Sequence, residues 1–558
     1  MVGRILKLLN REIHGLHEAA FLLAFFAFSS QLLALVRDRL LAHEFGAGVS
    51  LDIYYAAFRI PDFIFITIGS LVSVSVLVPF LIEKIDKTDD KGARFTNSIF
   101  TVFFGFIVLS SVLAFLLMPY LVKLVFPGIT RPELVAELVS LSRILLLSPI
   151  FLGLSNFFAS IIQVYKRFLV YAVSPLLYNL GIIAGIVFFA PTYGIRGVVF
   201  GVILGAALHL ALQFAAIFKD GMFPRFTFSI NYRDIKRVVL LSFPRTVALS
   251  STHLSLLFLF GFASLMKDGS IAIFNLAFNL QSVPLAIIGV SYSMAAFPTL
   301  SRLFGSGEID KFMSHIISAV RHIIFWSLPV TALFITLRAQ IVRTILGSGE
   351  FGWSDTKLTA AAFALFALSA IAQSVSLILV RGYYSASKTV RPLFINLVSS
   401  AITVGVTIFL IKAHAASGAF QETFDAVMRV GGLQGSIVLM LPLGFAVGTI
   451  INAVILWIYF ETDFRSMRYA VSKTFFDSLS ASVAIGGISY LSLKVFDNLF
   501  NVNTLLGIFA QGFMAGMMGI ASGIIVLKML KNQEIMDIWK TVRKRVWKSE
   551  IIQPETQV

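Results

Sequence analysis

Charged residues crowd one short stretch of an otherwise apolar chain. Arg37, Asp38, Arg39, Asp52, Arg59 and Asp62 all fall within Leu33–Phe65, LALVRDRLLAHEFGAGVSLDIYYAAFRIPDFIF. A charge near the middle of a bilayer costs about 2.5–3.5 kcal/mol on insertion scales, so it turns inward and takes a partner. Six together predict a hydrated cavity. The planar fork of an arginine donates two parallel hydrogen bonds to a phosphate or carboxylate. The chemistry this stretch suits is therefore capture of an anionic, phosphate-bearing group. For Arg39 and Asp52 a second reading stands, as charges at helix ends in the interface. The inward reading is preferred for Arg37 and Asp38.

Bond-making chemistry has no comparable support. The chain holds no HExxH, no GxxxxGK[ST] and no GxSxG, the patterns that set a zinc base, a phosphate loop or a nucleophile elbow. It has no cysteine, which excludes thiol nucleophiles, disulfides and cysteine metal sites. Its eight histidines are scattered, and His253 reads as a packed residue. Neither an enzyme, nor a metal, nor a cofactor is expected.

Other polar or kinking residues have weaker readings. Phe45-Gly46-Ala47-Gly48 is a turn that glycine permits. Pro61 and Pro284 lie inside apolar runs and kink a helix; they are candidate hinges, with simple bending as the other reading. Arg143 and Arg321 look embedded, Arg245 and Arg381 less so, and each can also extend to a nearby interface. Gly512, Gly516, Gly519 and Gly523 form small-xxx-small pairs that favour close helix packing.

The elements that position these residues are membrane helices. The 558 residues are 58% hydrophobic and only 13% charged, with mean hydropathy +0.88; soluble domains hold about twice that share of charge. Apolar runs suited to crossing a bilayer are predicted at 18–42, 53–82, 97–125, 135–163, 168–190, 195–218, 239–265, 271–300, 312–337, 358–380, 392–412, 434–460, 472–495 and 503–528. Open strands are excluded because they would leave backbone groups unpaired in lipid. No Asp or Glu interrupts the apolar runs from 239 to 460, and Asp477 stands isolated. That half therefore lacks an obvious carboxylate site for a coupling cation.

The net charge of +16 does not indicate nucleic acid, because the basic residues sit in short clusters between apolar runs. Lys84–Arg94, Lys166–Arg167, Lys219–Arg237, Arg381–Arg391, Arg465–Lys473 and Lys528–Lys548 are basic, and alternate loops are not. The positive-inside rule then predicts both termini in the cytoplasm. The basic, amphipathic N-terminus is expected to lie on the membrane surface rather than to be a cleaved signal.

An internal repeat organises the spans. Ala57-Phe58-Arg59-Ile60 recurs as Ala277-Phe278-Asn279-Leu280, and Val78-Pro79-Phe80-Leu81 as Phe297-Pro298-Thr299-Leu300. Pro175–Leu180 recurs as Pro392–Leu397, and Gly201 and Gly205 match Gly444 and Gly448 after the polar insert His414–Arg429. An even number of helices per copy keeps both copies facing the same way. The fold class expected is an all-α polytopic membrane protein of about fourteen transmembrane helices, two parallel six-helix lobes around a central cavity plus two C-terminal helices. The divisions are an interfacial helix 1–17, an N-terminal lobe 18–218, a cytoplasmic linker 219–238, a C-terminal lobe 239–460, added helices at 472–528 and a basic cytoplasmic tail 529–558.

At VRDRLLAHEFGAG and DIYYAAFRIPD, and more loosely at FNLAFNLQSVP and AAFPTLSRL, the chain resembles the MurJ/MviN family of lipid II flippases, within the multidrug/oligosaccharidyl-lipid/polysaccharide exporter superfamily. The resemblance implies export of a lipid-linked pyrophosphoryl glycan across the bacterial cytoplasmic membrane by alternating access, with the head group in the cavity and the tail in a groove of helices 13 and 14. It carries Arg37, Asp38 and Asp52 onto family positions. Where enterobacterial members have further arginines, this chain has Gln31, Phe65 and Asn279, so its cavity is less basic. Arg59 is a candidate replacement for part of that charge. The candidate substrate set is thus Arg37, Asp38, Asp52, Arg59, Asp62, Gln31 and Asn279. The expected partners are the lipid-linked substrate and membrane lipids, with cell-wall synthesis enzymes as a further class, and the expected state is a monomer.

Three other functions compete. Another polyprenyl-linked glycan, such as an O-antigen or capsule unit, fits the altered arginines. A cation-coupled drug antiporter would need an embedded carboxylate free of arginine. A scaffold would have no use for the charges of the first two spans.

Overall fold

The computed structural model describes residues 16–70, 74–87, 92–165, 167–218 and 223–536. The expected interfacial helix falls almost entirely outside the described residues, and so does the basic tail from 537 onward. Among the described residues the chain is helical and has no strand. In order the helices are α1 (Leu16–Phe45), α2 (Val49–Gly69), α3 (Val74–Lys87), α4 (Ala93–Val125), α5 (Pro132–Leu145), α6 (Leu147–Val164), α7 (Phe168–Ala184), α8 (Ala190–Tyr193), α9 (Ile195–Phe218) and α10 (Tyr232–Ser264). There follow α11 (Ser270–Pro284), α12 (Ser291–Gly305), α13 (Ile309–Thr336), α14 (Arg338–Leu346), α15 (Trp353–Ser385), α16 (Val390–Ala416), α17 (Gly418–Met428), α18 (Met440–Asp463), α19 (Arg468–Phe496) and α20 (Leu505–Met529).

Twelve helical stretches among the described residues are long and apolar enough to cross a bilayer, from Ala93–Val125 to Leu505–Met529. The fourteen expected spans added α1, of 30 residues, and the run 53–82. That run is divided: α2 ends at Gly69 and α3 begins at Val74. The run 135–163 is broken at Leu146, just before Pro149, whose ring nitrogen cannot donate to the preceding turn. Most helices outrun their apolar stretch by a few residues, because helical propensity continues where hydropathy stops. The short helices α14 and α17 lie in polar segments with no membrane-length signal.

The chain divides into two compact units. The first comprises Met1–Leu280, Ile345–Ala362 and Lys388–Gly448; the second comprises Gln281–Thr344, Phe363–Ser387 and Thr449–Val558.

The first unit packs around phenylalanines. Phe100 lies 5.5 Å from Phe157 and 5.0 Å from Phe226, ring centre to ring centre. The extended segment after position 222 is pinned along α4, where Asn97 Oδ1 accepts from Arg225 N and Thr101 Oγ1 accepts from Thr227 N. Asn231 then caps α10 by accepting from Asp234 N, so this helix starts earlier than its apolar run.

Glycines set the closest approaches. Gly181 and Gly185 face Gly201 and Gly205 so tightly that a Cβ on any of them would strike backbone. Gly444 and Gly448, the matched pair in the second copy, face Thr407 and Thr403 instead. We expect Gly205→Ala to lower the thermal midpoint of the detergent-solubilised protein, by overpacking worth about 1–3 kcal/mol. Gly105→Ala is the control, because nothing lies within 4 Å of its added Cβ. Equal midpoints for the two variants would count against this packing.

In the second unit α20 lays Gly519 and Gly523 against Ser489 and Ile485 of α19, while Gly512 and Gly516 face Gln340 and Leu337. The chain leaving α20 is tied back to the unit. Arg321 donates from Nε to Glu534 Oε1 at 2.7 Å and from Nη2 to Gln533 Oε1 at 2.9 Å. Asn532 donates to Asp477 Oδ2 at 3.1 Å. The charge of Arg321 is thus satisfied inside the protein, as embedded charges require.

Candidate functional site

The site is built on α1, α2, α7 and the first half of α11, all in the first unit. Arg37 and Asp38 are neighbours on α1, and Asp38 is buried. Arg37 donates from both Nε and Nη2 to Asp38 Oδ1, at 2.9 and 2.7 Å. Its Nη1 donates to Asn179 Oδ1 on α7 at 3.1 Å. Asn179 donates in turn to Ser30 Oγ at 3.2 Å. The other oxygen of Asp38 accepts from Asn279 Nδ2 on α11 at 2.9 Å. The result is a continuous polar chain, Ser30–Asn179–Arg37–Asp38–Asn279, linking three helices.

A second rung lies one turn along α11. Arg59 of α2 donates from Nη2 to Asn275 Oδ1 at 2.6 Å and from Nε to Tyr55 O at 3.1 Å. Its guanidinium carbon sits 3.7 Å from the centre of the Phe260 ring, within cation–π range. Asn275 and Asn279 are four residues apart, hence on one face of α11. One accepts from an arginine and the other donates to a carboxylate, because the amide offers both functions.

The other predicted residues are placed as follows. Asp62 follows Arg59 on α2, is half-buried, and lies within electrostatic range of Arg59, Tyr54 and Tyr178. Gln31 is half-buried on α1. Arg39 turns away and donates to Ile345 O at 3.1 Å.

The Asp52 carboxylate is used by the protein itself. It accepts from Gly269 N at 2.6 Å and Ala272 N at 2.7 Å, covering N–H groups that the start of α11 cannot satisfy internally. That is the role of a helix cap supplied from another helix. Around it the turn Phe45–Gly48 is seated on backbone: Gly269 meets Ala47 O, and Glu350 N donates to His43 O at 3.0 Å.

The two proline positions differ. α2 runs through Pro61 to Gly69, whereas Pro284 closes α11 and is followed by a π-turn, Leu285–Val290. Asn179 and Asn275 carry the network but were not singled out as site residues. The available signals were that Asn179 sits in the repeated Pro175–Leu180 motif and Asn275 in FNLAFN, amides in apolar runs. No group of His, Asp or Glu among the described residues has metal-binding geometry.

A cluster of this kind can bind and position an anionic group. Arg37 turns Nε and Nη2 onto one carboxylate oxygen, donors that could equally serve a phosphate. Comparison with known proteins identifies the family and the fold. The family model described as lipid II flippase MurJ matches residues 41–511. The probable lipid II flippase MurJ of Rhizobium tropici is 26% identical over 403 residues, covering 70% of this chain and 74% of the relative. The fold is similar to a solved structure of lipid II flippase MurJ in an inward closed conformation, with TM-score 0.71 and 21% identity over 93% of this chain and 100% of that one. It is also similar to an inward-facing multidrug resistance MATE family transporter of the MOP superfamily, with TM-score 0.63 and 12% identity over 81% and 99%. Matched over most of its length, the chain belongs to the lipid II flippase MurJ family.

Proposed function

We propose that this chain moves lipid II from the inner to the outer leaflet of the cytoplasmic membrane by alternating access, with its pyrophosphate at Arg37. The observation that carries the reading is the Arg37 fork on Asp38 beside Asn279. Asp38 occupies the guanidinium as a phosphate would. An arriving diphosphate competes with that carboxylate for Arg37 and leaves Asp38 held by Asn279 alone, so that binding loosens the tie between α1 and α7 and couples to helix rearrangement. Arg59, Asp62 and Gln31 line the remainder of the head-group path. Lobes 18–218 and 239–460 rock about it, with Pro284 and its π-turn as the hinge.

A charged head group cannot cross hydrocarbon unaided, but its tail can remain in an apolar environment. In the second unit a groove of 640 Å³ is lined by Ile371, Val375, Ala453, Trp457 and Phe475, with Arg468 as its cation. It takes the polyprenyl tail in this reading. The basic loops put both termini in the cytoplasm.

The test is complementation of a strain depleted of its own lipid II flippase. Rescue is expected, and failure despite normal membrane expression would overturn the reading. Transport of another polyprenyl-linked glycan is favoured by one observation, Gln31, Phe65 and Asn279 at positions where arginines were expected; failed rescue with retained binding of such a glycan would select it. Arg59→Ala removes a charged hydrogen-bond donor worth about 1.5–3 kcal/mol, so lipid II affinity should fall roughly 10- to 100-fold. Unchanged binding would remove Arg59 from the site.

A further inference from the structure

A second arginine faces apolar surroundings with its fork unoccupied. Arg143 on α5 uses only Nε, which donates to Phe115 O on α4 at 3.1 Å, and its guanidinium carbon lies 4.7 Å from the Phe115 ring centre. Neither terminal nitrogen has a hydrogen-bond partner among the described residues, and no carboxylate pairs with it. The guanidinium borders a groove of 720 Å³ between α4, α5 and the start of α6. Val112, Phe115 and Leu147, which line it, are exposed on the apolar surface of the first unit. Ser111 also lines it, is buried, and has an Oγ with no hydrogen-bond partner.

The depth of Arg143 matters. At 1.5 Å per residue it lies roughly 16 Å along the helix from Pro132, and Phe115 roughly 15 Å from Val125. Helical side chains lean toward their own N-terminus, so Arg143 leans toward the Pro132 end. The groove extends past it in both directions. Ala136 and Ser140 line the end toward Pro132, and Leu147 and Ile150 line the far end. An anion that reaches this guanidinium needs an apolar body to fill the far end and a polar head directed toward the near end.

We propose that the groove between α4 and α5 binds an anionic phospholipid, its phosphodiester on the two free nitrogens of Arg143 and an acyl chain along Leu147 and Ile150. Arginine suits this because its fork matches two phosphate oxygens. Ser140 supplies a hydroxyl beside the head group, while Ser111, roughly 21 Å along α4 from Val125, lies level with the acyl chain. With the termini cytoplasmic, as proposed above, the Pro132 end opens to the external leaflet, and the lipid is drawn from there. This site is separate from the Arg37 network and does not depend on the identity of the transported glycan.

The experiment is native mass spectrometry of the full chain released from detergent, titrated with phosphatidylglycerol, phosphatidylcholine or glycerol phosphate. Phosphatidylglycerol should bind at least threefold more tightly than phosphatidylcholine, and glycerol phosphate should not bind. Arg143→Gln should weaken phosphatidylglycerol about tenfold at one site. Should that variant not yield folded protein, Ala136→Trp fills the mouth and retains the arginine, with the same loss expected. Equal binding of the two lipids overturns the proposal. So does wild-type phosphatidylglycerol binding in either variant. Binding of glycerol phosphate alone would reassign the site to a free anion.

Discussion

Arg37→Ala is expected to reduce lipid II transport by about 100-fold or more. Two losses combine. The diphosphate loses its forked donor, and a charged hydrogen bond contributes about 1.5–3 kcal/mol. Asp38, buried beside it, also loses its counter-charge, and removing one member of a buried pair costs about 3–5 kcal/mol. The second effect lowers stability as well as activity, so a companion variant is needed. Arg37→Lys retains the charge on Asp38 but not the fork. It should melt near the wild-type temperature and transport about tenfold more slowly. A wild-type rate in Arg37→Lys would show that the fork is not what the substrate uses.

The second large effect is expected from Asp52→Ala. Its two oxygens accept from Gly269 and Ala272, and the alanine leaves both donors unsatisfied in a buried place. Each orphaned buried donor costs about 1–3 kcal/mol, so a total of about 2–6 kcal/mol is expected for the two. The same contact holds the Phe45–Gly48 turn in place, so its loss should also expose that turn. The chain has no cysteine, and Ala47→Cys is therefore a single label site without further engineering. In the Asp52→Ala background that thiol should react roughly tenfold faster with a membrane-impermeant maleimide, given 1.4 kcal/mol per decade. Unchanged reactivity together with an unchanged melting temperature would reduce Asp52 to a bystander.

The fold was largely legible from the sequence because crossing a bilayer imposes a length and an apolarity that few other structures share. The runs at 195–218 and 472–495 lie within a few residues of α9 and α19. The charges of the first two spans were legible for the same reason, since a charge in lipid requires an explanation. What was not legible depends on distance along the chain. Asp52 meets donors 217 and 220 positions away, and nothing in its own surroundings distinguishes a cap for a remote helix from a cavity carboxylate. Asn179 and Asn275 are neutral, so no insertion cost drew attention to them. The π-turn after Pro284 has no local signature beyond the proline.

The two matched glycine pairs have a mechanical consequence. Where Gly181 and Gly185 meet Gly201 and Gly205, backbone runs on backbone and no side chain fixes how far one helix has travelled along the other. Thr403 and Thr407 instead sit in the notches left by Gly448 and Gly444, each hydroxyl already bonded to its own helix at Ser399 O and Thr403 O. The first joint is backbone on backbone and the second a side chain in a notch. One helix pair thus packs through main chain alone, and its counterpart through threonine side chains seated in glycine notches.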